Sequence, residues 1–204
     1  MRARNLIAAL VLGTAIAAGL ALALRNAGEQ ATPVASTMLP AGNELPDFTL
    51  TDHAGTTVDR TVFAGQWDMV FFGFTNCPDI CPATMTVLGQ ARRELAAEGR
   101  QPLPRVVLVS VDPERDTPEA MARYIGYFGD GGLGLTGDIE EIRKLTGALG
   151  IFFQKAGADG SNYGVDHSTV VLVIDPRGRL KALFSAPHRV ENFVHDLPLI
   201  TASE

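Results

Sequence analysis

The chain has two cysteines, four residues apart in Gly73-Phe74-Thr75-Asn76-Cys77-Pro78-Asp79-Ile80-Cys81-Pro82. That spacing is about one helical turn, so both sulfurs can converge on one ion or on each other. Two thiolates are soft ligands that favour Cu(I) or Zn(II) over Mg or Ca. Pro82 suits the first position of a helix, which would make Cys81 its N-cap. A thiolate there faces free backbone N–H groups and the positive end of the helix dipole, so its pKa is expected to be lowered. The plainer reading is a structural disulfide of the kind exported proteins often carry. A bridge closing so short a loop constrains little chain, which weighs against it.

Two ligands under-fill most metal sites, and four histidines compete for third place: His53, His167, His188 and His195. His167, in Tyr163-Gly164-Val165-Asp166-His167-Ser168, stands just ahead of a hydrophobic run and is the best placed. His53 falls in a turn, and His188 and His195 fall near the C-terminus; these three are expected to be solvated or hydrogen-bonded side chains. Two thiolates and one imidazole suit trigonal Cu(I) and also tolerate Cu(II). Met85 offers a soft sulfur but lies on an apolar helical stripe, so core packing is expected of it. Asp112 and Asp116 stand where they could rim the site, although capping of the next helix is the commoner role for such acids.

The elements that must position these residues are marked by hydrophobic patterning. Met69–Phe74 is a continuous apolar run, and Arg105–Val111 and Thr169–Ile174 are largely apolar, the mark of strands buried on both faces. Phe48–Thr51 and Thr57–Val58 flank a turn at 52–55, a hairpin signal. Met85, Leu88, Ala91 and Leu95 recur at helical spacing after the cysteines. Thr117-Pro118 opens a second helix with Met121, Ile125 and Phe128 on its buried stripe. A Gly-rich loop is expected at 129–137. A third helix starts at Asp138, with Glu141 completing a capping box, and stops at Gly150. Pro176-Arg177-Gly178 turns the third strand into Leu180–Phe184, and a last helix covers 190–197. Alternating strands and helices make this an α/β domain, a central sheet covered by helices on both faces. Ligands in such sheets bind at the C-terminal ends of the strands, where the loops after Phe74 and Val111 and before Thr169 gather.

Leu6–Leu24 is a 19-residue uncharged stretch preceded by Arg2 and Arg4. It is close to the roughly 20 residues that span a bilayer, and the positive-inside rule exports the chain beyond Arg25. A cleaved signal peptide ending near Ala21-Leu22-Ala23 is the rival reading. The expected organisation is a membrane anchor over 1–25, a flexible tether over 26–43 and a globular domain over 44–204. With Arg2, Arg4 and Arg25 set aside, 14 of the 17 Lys and Arg residues remain against 23 Asp and Glu. So acidic a domain argues against nucleic acid or anionic lipid as a partner, since both demand a basic patch.

The segments Gly73–Pro82, Val111-Asp112-Pro113-Glu114-Arg115-Asp116-Thr117-Pro118-Glu119 and Val165-Asp166-His167-Ser168 together resemble, in order and spacing, the Sco/SenC family over roughly 45–195. The resemblance implies a thioredoxin-like three-layer fold with a mixed sheet, behind an N-terminal transmembrane helix. It implies copper, as Cu(I) and Cu(II), held by Cys77, Cys81 and His167. It implies a metallochaperone that delivers copper to the binuclear site of cytochrome c oxidase subunit II, or keeps that site's cysteines reduced. A periplasmic copper donor and a thiol reductant would be further partners. A bacterial inner-membrane protein, single-pass with a periplasmic domain, is the expected setting. The alternative is an enzyme, a thiol–disulfide oxidoreductase acting through Cys77 and Cys81 on an exported partner. Thioredoxins and peroxiredoxins usually place a proline opposite the active cysteine; Val165–Ser168 has none, which favours metal binding.

Overall fold

The computed structural model describes residues 32–129, 131–157 and 163–202. Their strands are β1 (Ser36–Glu44), β2 (Leu50–Asp52), β3 (Thr57–Val58), β4 (Asp68–Gly73), β5 (Arg105–Ser110), β6 (Leu133–Thr136), β7 (Phe153–Ala156), β8 (Gly164–His167), β9 (Val171–Ile174) and β10 (Arg179–Phe184). Their α-helices are α1 (Ile80–Ala97), α2 (Pro118–Tyr127), α3 (Ile139–Leu149) and α4 (Val190–Thr201). Eight strands form one mixed sheet in the order β1-β10-β9-β4-β5-β6-β2-β3, and β7-β8 form a separate two-stranded ribbon. The pairs β4–β5 and β5–β6 are parallel, whereas β9 and β10 run antiparallel to their neighbours.

The three hydrophobic runs occupy the middle of this sheet. Every residue of β4 and β9 is buried, as is all of β5 but its first. Side chains alternate between the two faces. On one face Val70, Phe72 and Ile174 meet Leu145 and Leu149 of α3 and Phe63 of a 3-10 turn. On the other, Val106 lies with Met85 of α1 and Ile125 of α2. The mixed sheet with helices on both faces is therefore observed.

Local signals place the helix ends well. The Thr117 hydroxyl accepts from the Ala120 N–H with Pro118 at the first helical position, and Asp138 accepts from the Glu140 N–H. Gly150 closes α3 in the left-handed conformation, φ 68°, which a side chain would strain. Glu141 does not complete a capping box; its carboxylate accepts from the Thr49 N–H across the fold.

Three segments differ from expectation. Residues 36–43, expected as tether, belong to β1, which adds an edge strand antiparallel to β10. The Gly-rich segment 129–137 contains the buried strand β6. A Cβ on Gly132 would lie 2.8 Å from Ile125 and one on Gly134 would lie 3.2 Å from Met121. These glycines let α2 approach the sheet rather than make a loop. The ribbon β7–β8 has no counterpart among the expected elements, and His167 ends a strand rather than sitting in a loop. Among the described residues no helix is long and apolar enough to cross a membrane, and the expected anchor at 1–25 lies outside them.

Candidate metal centre

β4 delivers the chain to the C-terminal edge of the sheet at Gly73, and the loop 74–79 carries Cys77 into α1. The Cys77 N–H donates to the Phe74 carbonyl at 3.3 Å, which tightens the loop. A second brace comes from Asp116, buried behind it. Its carboxylate accepts from the Thr75 N–H at 3.1 Å, the Thr75 hydroxyl at 2.6 Å and the Ser110 hydroxyl at 2.6 Å. Burial nevertheless raises the Asp116 pKa above the usual carboxylate range, against the lowering effect of these donors. Asp116 caps nothing. It fastens the cysteine loop to the end of β5, a role sequence spacing did not reveal.

α1 starts two residues earlier than the proline suggests. It begins at Ile80 after Asp79, so Cys81 lies inside the first turn instead of capping it. There its side chain is buried completely. A Cβ on Gly73 would stand 2.9 Å from the Cys81 Sγ, so the strand end must be glycine for the sulfur to fit. Burial pushes the Cys81 thiol up, well above an ordinary cysteine, with the neighbouring Cys77 acting in the same direction. The expected lowering by the helix end is thus overturned in the metal-free protein. The desolvation of a thiolate inside the core outweighs the favourable dipole. Cys77 remains partly exposed, and neither cysteine is in a disulfide.

His167 arrives from the far side, at the end of β8. Its Nε2 lies 3.4 Å from the Cys81 Sγ, and its Nδ1 lies 2.9 Å from the Ser168 carbonyl oxygen. A carbonyl can only accept, so Nδ1 carries the proton and the Nε2 lone pair faces the sulfurs. Phe71 and Phe74 pack edge-on against the imidazole, at centroid distances of 5.7 and 5.9 Å. Burial lowers the His167 pKa, which keeps the ring neutral. Metal-ligating histidines carry this second-sphere bond to an acceptor as a rule.

The ligand atoms of Cys77, Cys81 and His167 all lie within 4.8 Å of one another. Three atoms bonded to one ion in a trigonal site at about 2.0–2.3 Å stand about 3.5–4.0 Å apart. A closing movement of up to about an ångström therefore suffices. The other histidines are engaged elsewhere. His53 Nδ1 accepts from the Gly134 N–H, His188 Nε2 lies 2.6 Å from the Thr169 carbonyl, and His195 pairs with Asp196. Met85 is buried in the core, as its stripe predicts. Asp112 does not reach the sulfurs; it accepts from the Tyr163 hydroxyl and pairs with Arg115.

Residues 36–201 match the family model SCO1/SenC. The chain belongs to the SCO1/SenC family. Among solved structures of that family, Arabidopsis thaliana ScoI with copper bound is 30% identical with a TM-score of 0.75, covering 79% of this chain and 100% of that one. Bradyrhizobium japonicum ScoI with copper bound is also 30% identical, with a TM-score of 0.67 over 76% of this chain and 98% of that one. The mitochondrial SCO2 homolog of Homo sapiens is 41% identical over 133 residues, 65% of this chain and 50% of that longer protein. This SCO1/SenC domain thus spans about half the length of that mitochondrial relative.

Proposed function

We propose that this protein is a copper-binding metallochaperone of cytochrome c oxidase assembly, with Cys77, Cys81 and His167 as its ligands. The observation that carries the reading is the convergence of two thiols and one neutral imidazole within 4.8 Å. This donor set is soft enough for Cu(I), and its imidazole extends it to Cu(II). Family membership supports the copper, since relatives of the same fold hold it. Delivery to the binuclear site of oxidase subunit II, an anchor at residues 1–25 in a bacterial inner membrane and a periplasmic domain complete the proposal.

The test is a Cu(II) titration of the reduced protein followed by absorption and electron paramagnetic resonance. A thiolate-to-copper charge-transfer band saturating at one equivalent, and altered in His167→Ala, is the expected result. Oxidation of the two cysteines with no such band would overturn the reading.

One observation favours thiol–disulfide exchange as a second reading. Both cysteines are free and adjacent, and Cys77 is the more exposed. Cys77, rather than the buried Cys81, would then be the sulfur a partner reaches first. Full function of His167→Ala in a partner-reduction assay would select this reading.

A further inference from the structure

The sulfurs and the imidazole reach the centre from separate parts of the fold. The cysteine loop is fastened to the main sheet through Thr75, Asp116 and Ser110. His167 rides on the ribbon β7–β8, which shares no ladder with that sheet. What holds the ribbon against the cysteine loop is therefore a question the sheet does not answer.

At the His167 end, Ser168 and Phe152 exchange two hydrogen bonds, which close the ribbon on itself rather than on the cysteine loop. At the other end stands Arg115, in the loop after β5. Its guanidinium lies 3.8 Å from the centroid of the Tyr163 ring, and its Nη1 donates to the Tyr163 carbonyl at 3.0 Å. Its Nε pairs with Asp112, whose other oxygen accepts from the Tyr163 hydroxyl at 2.6 Å. Arg115 and Asp112 thus hold the residue that enters β8 by its ring, its hydroxyl and its carbonyl. The same guanidinium lies 5.7 Å from the ring of Phe74, which begins the cysteine loop and packs on His167. The exposed pair Lys155–Glu114 adds a bond of 2.6 Å between ribbon and loop, but exposed pairs contribute little.

We infer that Arg115 is a positioning residue of the metal centre, holding the imidazole arm to the dithiol arm through Tyr163 and Phe74. The inference rests on the copper reading above. It makes Arg115 a determinant of oxidation-state preference. The two sulfurs keep their own brace through Asp116, so Cu(I), which two thiolates can hold, depends little on the clamp. Cu(II), which needs the imidazole, depends on it.

The test compares Arg115→Lys, which keeps the charge and loses the planar fork, with Tyr163→Phe, which keeps the ring and loses the bond to Asp112. Cu(I) and Cu(II) affinities are measured by competition titration, beside the Cu(II) charge-transfer spectrum and the melting temperature of the metal-free protein. In Arg115→Lys, Cu(II) affinity is expected to fall about tenfold, the low end of what losing a hydrogen-bonded outer partner of a ligand costs, since Arg115 acts on His167 only through Tyr163 and Phe74. The band should shift, while Cu(I) affinity stays within about threefold. Tyr163→Phe should move the same quantities in the same direction by less. Equal losses for both oxidation states, in step with a lowered melting temperature, would make Arg115 merely structural and overturn the role. So would an unchanged Cu(II) spectrum and affinity in Arg115→Lys. Copper uptake by the wild-type protein separates these outcomes from failure of the copper reading, under which no protein in the series binds the metal.

Discussion

Each residue of the proposed metal centre is shaped by what surrounds it. Cys81 is buried and uncharged in the metal-free state, Cys77 is reachable, and His167 presents a neutral Nε2. Binding a cation at Cys81 must displace its thiol proton, so it is the metal's own charge that offsets burial. Cys77→Ser and Cys81→Ser are each expected to abolish stoichiometric copper binding, measured by metal analysis after gel filtration. His167→Ala should weaken Cu(II) about tenfold or more and Cu(I) far less. Gly73 offers a sharper probe. Gly73→Ala would place a methyl 2.9 Å from the Cys81 Sγ and 3.0 Å from the Phe71 ring. Overpacking of this kind costs about 1–3 kcal/mol, and it should also displace one ligand. Both a lower denaturation midpoint and weaker copper binding are expected.

At the level of elements, the helices are set by local chemistry and the site by how they meet. Asp138 caps α3, which packs on the face of the sheet away from the cysteines. Asp138→Ala should therefore cost about 1 kcal/mol in urea unfolding and leave copper affinity unchanged. The strands behave differently. Largely apolar runs disclosed β4, β5 and β9 because burial on both faces leaves a compositional mark. β6 escaped because its glycines answer to α2, and β7–β8 escaped because half of their residues are exposed and no run forms.

Across the whole molecule, the chain entering the domain is tied to its last helix. Asp196 in α4 is fully buried and accepts from the backbone N–H groups of Val34, Ala35 and Ser36 at 2.7–2.9 Å. With His195 alongside, these donors hold its carboxyl down to about 2, although burial by itself opposes ionisation. A depressed carboxylate contributes stability above its unfolded pKa, near 4, and loses it as pH falls toward 2. At about 1.4 kcal/mol per unit the contribution is about 2–3 kcal/mol. Unfolding midpoints of wild type and Asp196→Asn should differ at pH 5 and converge near pH 2. Constant separation across that range would remove Asp196 from the account.

The sequence alone determined what local spacing can encode: three buried strands, the caps at Thr117, Asp138 and Gly150, and the choice of Cys77, Cys81 and His167 as the candidate donor set. The resemblance around Gly73–Pro82 and Val111–Glu119 pointed to the family, and position ahead of a buried strand singled out His167. Tertiary structure decided the rest, because each remaining feature joins residues far apart in the chain. Asp116 and Arg115 look like the acid and base of a helix entry, yet one braces the cysteine loop and the other grips Tyr163. Residues 36–43 look like tether until β10 supplies a partner. The sign of the Cys81 shift escaped sequence reasoning for the same reason: a helix end is visible in sequence, but the depth at which the fold buries its first turn is not.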